Sequence, residues 1–334
     1  MAQGSSQALT FQFQKPVRSS LVWWLRFFGV VAFIILLLRL PRSEGAQLTR
    51  IDLRWLGWCM VLTVLQLLLE ALVWQLLIAR QRIRQPYPRT LVAYLASQYL
   101  GLVTPGHVGD LLAAGYISMN TGITFGYALS SVVMKKVLHW VVIVGVGLWG
   151  LQLLAAFPLM QGLQRALVVS LTVLCVLAAG IGIWVVSLRK LAKKWRKLSP
   201  WQIDMTEFWA GMRALVSPKL VFPLLATLLA FGLLFVQLDA VLRSLGLRVP
   251  FLLAGQIMAF SRIIGRIIPI SMVGFGSKDV AMITLLEWQG IEPSVGLAVT
   301  LLLLLCSYLV TLLLSGLCWW AKPLIVRRAR ATDL

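Results

Sequence analysis

Charged residues are scarce in this chain, and long polar stretches are few. Only 13% of its 334 residues are charged and 60% are hydrophobic, with a mean hydropathy of +0.88. A soluble domain carries about 25% charged residues. The composition therefore excludes a water-soluble enzyme and indicates a polytopic membrane protein.

Acidic residues are the scarcest charged type. There are 11 Asp and Glu against 31 Lys and Arg, which gives a net charge of +20. In a soluble protein this excess would suggest nucleic acid as a partner. Here the basic residues flank apolar runs, a pattern typical of topology control and of attraction to anionic lipid headgroups. We therefore expect membrane lipids, mainly anionic ones, as partners, and no nucleic acid.

Sequence signatures of catalysis and cofactor binding are also missing. The chain has no Walker loop, nucleophile elbow, zinc-ligand spacing or paired glycosidase carboxylates. Its four cysteines lie within apolar runs and are interpreted as small hydrophobic residues without a disulfide. We expect no cofactor, no metal and no enzymatic activity. An intramembrane transferase with Asp110 or His107 as its base is a minor alternative.

Six apolar runs are long enough to cross a bilayer as helices, since about 20 helical residues span the hydrocarbon. They cover residues 21–40, 55–79, 137–157, 166–188, 220–241 and 295–320. Four basic clusters lie beside them, at residues 15–18, 80–89, 189–197 and 322–330. The positive-inside rule places all four clusters and both termini in the cytoplasm. We expect a multi-pass protein of the bacterial cytoplasmic membrane.

Two further stretches, residues 91–120 and 251–289, are broken by proline and glycine and carry charge. Broken backbone at membrane depth must pack in protein or line a wet cavity. Because an even number of crossings separates two cytoplasmic clusters, the first stretch opens toward the cytoplasm and the second toward the opposite side. Each stretch is either re-entrant or crosses the membrane twice, because both arrangements keep the number of crossings even. This pattern predicts two halves of opposite topology, residues 55–157 and 220–320.

We therefore predict an all-α polytopic transmembrane helix bundle with two inverted-topology halves, each containing a Pro/Gly-broken helical hairpin. Residues 1–20 are a cytoplasmic tail, residues 21–320 a single transmembrane domain and residues 321–334 a basic cytoplasmic tail. Residues 158–219 join the halves through spans and an amphipathic linker. Within this linker, residues 200–219 have the composition of an amphipathic helix on the cytoplasmic surface.

The first break contains candidate residues of several kinds. Gly106 and Gly109 allow close approach to the backbone. Asp110 lies where the next helix begins, so it either caps backbone N–H groups or takes a direct part in binding substrate or protons. His107 is a secondary candidate, because a lone histidine is more often structural.

The second break follows a helix with Arg262 and Arg266 on one face and precedes Lys278 and Asp279. Buried arginines need partners, and Asp279 is the nearest candidate in sequence. The cluster is either an ion-pair network that fixes the hairpin or a phosphate clamp, which we favour. The predicted substrate-binding residues are Arg262, Arg266, Lys278, Gly106, Gly109, Gly274 and Gly276.

Glu70 lies ten residues before Arg80, which places it near mid-depth and requires it to face the protein interior. It is either a protonated packing residue or a proton-coupling carboxylate. With Asp110 and Asp279 it forms the predicted set for charge compensation or proton coupling.

Three basic residues lie at the start of the predicted span 137–157. Lys135, Lys136 and His139 are secondary candidates. Cationic side chains at such positions commonly extend to the membrane interface, and this is the interpretation that we favour for them.

Two motifs in order resemble the transmembrane-region family of lysylphosphatidylglycerol synthases, flippase-like integral membrane proteins. The first is Tyr94 and Tyr99 followed by residues 105–110, and the second is Pro269 followed by residues 274–279. The resemblance covers about residues 55–320. It implies lipid translocation or a partner role, in a divergent member that lacks the soluble aminoacyl-transferase domain.

The chain departs from the family pattern at three places. Ala113 stands where a basic residue is usual, residues 135–139 replace an acidic–basic motif, and Lys278 with Asp279 replaces an Arg–Glu pair. They indicate a divergent branch of the family and leave the identity of the substrate open.

The sequence thus favours a protein that translocates, or assists in translocating, a lipid with an anionic headgroup or a lipid-linked intermediate between leaflets. With no nucleotide site in the chain, the proton gradient is the expected energy source. The alternative is a non-transporting scaffold that regulates an enzyme of cell-envelope lipid or glycan biosynthesis. In that case, cytoplasmic surfaces such as residues 189–219 would carry the activity.

Overall fold

The computed structural model describes residues 51–103, 112–150, 205–267, 271–272 and 275–321. These residues are almost entirely helical. The helices are α1 (Leu53–Arg80), α2 (Tyr87–Val103), α3 (Ala113–Thr121), α4 (Phe125–Gly150), α5 (Met205–Leu215), α6 (Val221–Ser244), α7 (Phe251–Ile267), α8 (Ser277–Glu287), α9 (Pro293–Leu304) and α10 (Val310–Ala321). A 3-10 turn (Pro218–Leu220) precedes α6, and a π turn (Leu305–Leu309) joins α9 to α10. Between α7 and α8, strands β1 (Ser271–Met272) and β2 (Phe275–Gly276) pair antiparallel.

Four of these helical segments are long and apolar enough to cross a membrane. They are Leu53–Arg80, Phe125–Gly150, Pro218–Ser244 and Pro293–Ala321. They confirm four of the six predicted spans, and the predicted spans 21–40 and 166–188 lie outside the described residues. The predicted start of the second of these four at residue 137 was wrong. The helix begins at Phe125. The prediction treated the two lysines before residue 137 as the membrane boundary, but both lie inside the helix.

The two long helices α1 and α6 run antiparallel and form the most extensive helix contact. At one end the Asp52 backbone N–H donates to the Ser244 carbonyl at 2.9 Å. At the other end Arg80 donates to the Ser217 hydroxyl at 2.8 Å. Between these ends, the Gln237 amide on α6 donates to Gln66 Oε1 on α1 at 3.0 Å, so polar side chains as well as apolar ones hold the pair together.

The order of helices is the same in two parts of the chain. A long helix is followed by two shorter ones and then by a second long segment, as α1 to α4 and as α6 to α10. Each part also contacts the other in a reciprocal way, since α2 packs against α10 and α7 packs against α4. The described residues form three hydrophobic clusters, and each includes residues of both parts. The one around α6 to α9 includes Val142 and Ile143 of α4, and the one around α1 to α4 includes Leu314 and Trp319 of α10.

The contact between α4 and α7 depends on glycine at position 150. A Cβ atom there would lie 2.8 Å from the Phe260 backbone nitrogen and 2.9 Å from the Gln256 carbonyl oxygen. The reciprocal contact between α2 and α10 is looser. Tyr99 stacks on Trp319 with ring centroids 5.2 Å apart, and a Cβ at Gly316 would meet the Tyr99 ring at an ordinary 3.5 Å.

Helix α5 occupies part of the stretch predicted as an amphipathic linker helix. Its apolar side packs against α4, and Leu215 is fully buried beside Leu77 and Leu138. At Gly211 the helix approaches so closely that a Cβ would lie 2.3 Å from Ser130 Oγ. This side of α5 is therefore covered by protein.

Candidate functional site

A buried carboxylate on α1 is paired with two side chains of α4. Glu70 is 5% exposed. Its Oε2 lies 2.9 Å from Lys135 Nζ, and its Oε1 lies 3.3 Å from His139 Nε2. Lys135 and His139 are four residues apart on one helix, so both side chains reach the same face. The expectation that Glu70 faces the protein interior is confirmed.

Aromatic rings surround this group, which we call the Glu70 cluster (Glu70, Lys135 and His139). Lys135 Nζ lies 3.9 Å from the centroid of the Tyr94 ring on α2, a cation–π arrangement. The His139 ring lies 5.0 Å from that of Phe231 on α6. Four helices thus meet at the cluster. Because Glu70 and Lys135 are largely buried, their charges are less screened than they would be at the surface.

The interpretation of Lys135 and His139 as interfacial side chains is wrong. The two residues lie well inside α4, which begins at Phe125, and the Lys135 side chain is only 13% exposed. Glu70 supplies the countercharge that makes a lysine tolerable there. Lys136, the third residue of that prediction, is half-buried on the same turn.

Asp279 is the centre of a second charged group on α7 and α8. It is 3% exposed, and its Oδ2 accepts a hydrogen bond from the Gly276 backbone N–H at 2.8 Å. Its Oδ1 lies 3.8 Å from Lys278 Nζ. Asp279 therefore holds the first turn of α8 and also faces a cation. Gly265 lets α7 approach this turn, because a Cβ there would lie 2.8 Å from that of Lys278.

The two arginines of α7 complete this group, which we call the Asp279 cluster (Arg262, Arg266, Lys278 and Asp279). Arg262 is half-buried and interacts electrostatically with Asp279 and with Arg266. Arg266 is exposed, and its guanidinium carbon lies 5.9 Å from the centroid of the Trp140 ring on α4. Of the two arginines expected to pair with Asp279, Arg262 interacts with it electrostatically, and Lys278 Nζ lies 3.8 Å from its carboxylate.

The two clusters adjoin across α4 and α7. His139 of the first cluster interacts electrostatically with both Arg262 and Arg266 of the second. Together the clusters contain four basic side chains of Lys or Arg, namely Lys135, Arg262, Arg266 and Lys278, and two carboxylates, Glu70 and Asp279. Among the described residues, basic side chains therefore outnumber carboxylates where the two clusters adjoin, which favours the binding of an anion.

Several predicted site residues lie outside the part of the chain that the structure describes. They are Gly106, His107, Gly109, Asp110 and Gly274. Gly276 is described, and it contributes its backbone N–H to Asp279. Within the described residues, no group of three or more His, Cys, Asp or Glu side chains is placed to hold a metal ion.

Tyr94 is a contact of the site that sequence reasoning had noted only as part of a motif. Its ring covers Lys135, although the two residues are on different helices and far apart in sequence. An aromatic residue beside a buried lysine is a physical signal, but it becomes visible only once the helices are packed.

One known protein family matches most of the chain. A family model described as the lysylphosphatidylglycerol synthase TM region matches residues 23–315. The chain belongs to this family. No curated protein and no solved structure matches it. The matched region contains every residue of the Glu70 and Asp279 clusters, and the family links the chain to membrane lipid biosynthesis or translocation.

Proposed function

We propose that this chain translocates, or assists in translocating, a lipid with an anionic headgroup or a lipid-linked intermediate between the two leaflets of a membrane. The observation that carries the proposal is the excess of cations over carboxylates where the two clusters adjoin. Charges inside a membrane protein are costly, and they mark ion or substrate pathways more often than simple packing sites.

Both carboxylates of the site already have close partners. Glu70 is already engaged by Lys135 and His139, and Asp279 by Lys278 and a backbone N–H. Arg262 and Arg266 lie four residues apart on α7, and both interact electrostatically with His139 of the neighbouring cluster. Guanidinium groups bind phosphate in a bidentate manner, so these two arginines are the proposed headgroup ligands, with Lys278 and the Gly276 region beside them.

The proposal includes two inverted halves, each with a re-entrant or doubly crossing hairpin. The antiparallel pairing of α1 with α6 supports it, as do the reciprocal contacts of α2 with α10 and of α7 with α4. Transporters built from inverted repeats place their substrate sites where the repeats meet. The two clusters lie at such a meeting of helices, since one is on α1 and α4 and the other on α7 and α8.

In this mechanism the headgroup passes through the charged region while the acyl chains stay in the bilayer. Glu70 and His139 share an environment in which one proton changes the local charge, so this pair is the proposed site of proton coupling, with Asp110 and Asp279 as further candidates. The proposal assigns no catalytic step to the chain. It places the protein in the bacterial cytoplasmic membrane with both termini in the cytoplasm.

Leaflet exchange in liposomes tests the proposal. The protein is reconstituted with fluorescent phosphatidylglycerol or fluorescent phosphatidylcholine, and loss of outer-leaflet fluorescence on dithionite reduction is followed with and without a pH gradient. We expect faster exchange of phosphatidylglycerol than in empty vesicles, and loss of this excess in the Arg262→Ala/Arg266→Ala variant.

The matched control is Arg54→Ala/Arg248→Ala, which removes the same charge from two exposed arginines outside both clusters. This control should exchange lipid as the wild type does. Equal exchange in wild-type, Arg262→Ala/Arg266→Ala and empty vesicles would contradict translocation. That result would favour the alternative of a membrane scaffold for an envelope biosynthetic enzyme.

A further inference from the structure

A separate cavity lies at the end of α1, away from the two charged clusters. It has a volume of about 440 Å³ and is lined by the residues that follow α1, by the end of α3 and by the beginning of α4. Glu70 precedes this end of α1 by ten residues, or about 15 Å along a helix. A cavity of this size suits a small ligand or a lipid headgroup.

Two arginines give the cavity its charge. Arg82 and Arg84 both line it and are both exposed. Within the described ranges, no carboxylate forms an ion pair with either of them. The polar residues Asn120 and Thr121 form the facing wall. The cavity therefore presents two guanidinium groups and further hydrogen-bonding groups without an acidic residue among its lining.

Arg82 has a backbone conformation that ordinarily belongs to glycine. Its φ is 59°, which lies in the left-handed region. Among the described residues, the others with positive φ are glycines. Its N–H donates to the Ala79 carbonyl at 3.0 Å, and the Ile83 N–H donates to the Ile78 carbonyl at 3.1 Å. These two bonds form a Schellman motif, in which glycine is the favoured residue at this position. An arginine here is strained, and such strain is concentrated at ligand-binding sites.

Gln81, a further residue of the cavity lining, fixes the end of α1. Gln81 is 5% exposed, and its Oε1 has no hydrogen-bond partner among the described residues. Its Nε2 donates to the Tyr127 carbonyl at 3.1 Å and to Ser130 Oγ at 2.6 Å. Because a carbonyl can only accept, this contact fixes which end of the amide is the oxygen. These bonds hold the end of α1, and with it the segment that carries Arg82 and Arg84, against α4.

We propose that this cavity binds the phosphate of an anionic phosphate ester. Arg82 and Arg84 contact the phosphate oxygens, and Asn120 and Thr121 offer polar groups to the rest of the ligand. A lipid headgroup such as phosphatidylglycerol and a soluble ester such as glycerol 3-phosphate share this chemistry. Met119, 63% exposed on α3 next to Asn120, offers an apolar surface for an acyl chain.

Binding of short-chain phosphatidylglycerol to the full chain in detergent micelles tests the site, with short-chain phosphatidylcholine as the neutral probe. Native mass spectrometry gives the apparent affinity. We expect Arg82→Ala/Arg84→Ala to weaken phosphatidylglycerol binding by about tenfold or more, the effect of losing a pair of charge-assisted hydrogen bonds.

The control Arg54→Ala/Arg89→Ala removes the same charge from exposed positions that do not line the cavity. It should change the affinity by less than about twofold if the site is specific. Competition by glycerol 3-phosphate would identify a soluble ester as the ligand, and absence of competition would identify the lipid; both results support the site. Equal weakening in both double variants, or in neither, would overturn it.

Arg82→Gly separates the proposed role from a structural one. Glycine relieves the left-handed backbone strain, so the thermal unfolding midpoint should rise, while loss of the guanidinium weakens phosphatidylglycerol binding. Unchanged binding in this variant would contradict the assignment of Arg82. The site is independent of the Glu70 and Asp279 clusters, and leaflet exchange in Arg82→Ala/Arg84→Ala remains a separate readout of the central proposal.

Discussion

The Glu70 and Asp279 clusters each contain a buried carboxylate, and the two carboxylates have different kinds of partner. Glu70 lies within a continuous helix and pairs with Lys135 and His139, which are both on another helix. Asp279 lies at the start of a helix and receives a backbone N–H and a lysine from its own chain segment. The first arrangement joins two helices, whereas the second stabilises a local turn.

This difference has a functional consequence. The Glu70 cluster is close to internal neutrality, because one carboxylate faces one lysine and a histidine. The Asp279 cluster has three cations for one carboxylate, part of whose hydrogen-bonding capacity is used on the backbone. This difference supports the proposal that the first cluster holds the helices and takes part in proton coupling, and that the second binds the anionic headgroup.

The largest expected effect concerns the Glu70 cluster. Glu70→Ala removes the countercharge of a buried lysine and should destabilise the protein by about 3–5 kcal/mol, the usual effect of breaking one side of a buried pair. The measurement is thermal unfolding in detergent. Glu70→Ala/Lys135→Met should recover much of the loss, because it removes the unpaired cation as well. A double variant no more stable than Glu70→Ala would show that the ion pair does not hold α1 against α4.

A smaller effect distinguishes the two reciprocal helix contacts. Gly150→Ala places a Cβ 2.8 Å from a backbone nitrogen of α7 and should cost about 1–3 kcal/mol, since backbone cannot move aside easily. Gly316→Ala places a Cβ at ordinary contact distance from Tyr99 and should be neutral or stabilising by up to about 1 kcal/mol. Equal unfolding midpoints for the two variants would contradict the close contact between Gly150 and the backbone of α7.

The smallest effect concerns Asp279. Asp279→Ala removes the acceptor for the Gly276 N–H and should cost about 1 kcal/mol, as for loss of a helix cap. Asp279→Asn retains an acceptor and should cost less. The same thermal unfolding assay applies, and a loss for Asp279→Ala as large as that for Glu70→Ala would contradict the distinction between a local cap and an interhelical pair.

Much of the helical architecture could be predicted from the sequence, because hydrophobic length alone identifies a spanning helix. Four predicted spans correspond to helices in the structure, and the linker helix α5 was also expected. The start of α4 was not, since Lys135 and Lys136 interrupt the apolar pattern as if they marked a membrane boundary. The pattern cannot show that a carboxylate on another helix neutralises one of these charges.

The site residues divide in the same way. Arg262, Lys278 and Asp279 were found together because they are close in sequence and next to a Pro/Gly break. Glu70 was recognised as a buried charge, but its partners could not be identified, since Lys135 follows it by 65 positions and nothing local connects them. Pairings between distant helices depend on how the helices pack, and one sequence does not contain that information.

A density map of the protein in nanodiscs that contain phosphatidylglycerol tests the central claim most directly. The account predicts headgroup density between α4, α7 and α8, with its phosphate in contact with Arg262 and Arg266 and its acyl chains in the bilayer. A map in which these two side chains face only acyl chains, with no hollow and no headgroup between the helices, would contradict it.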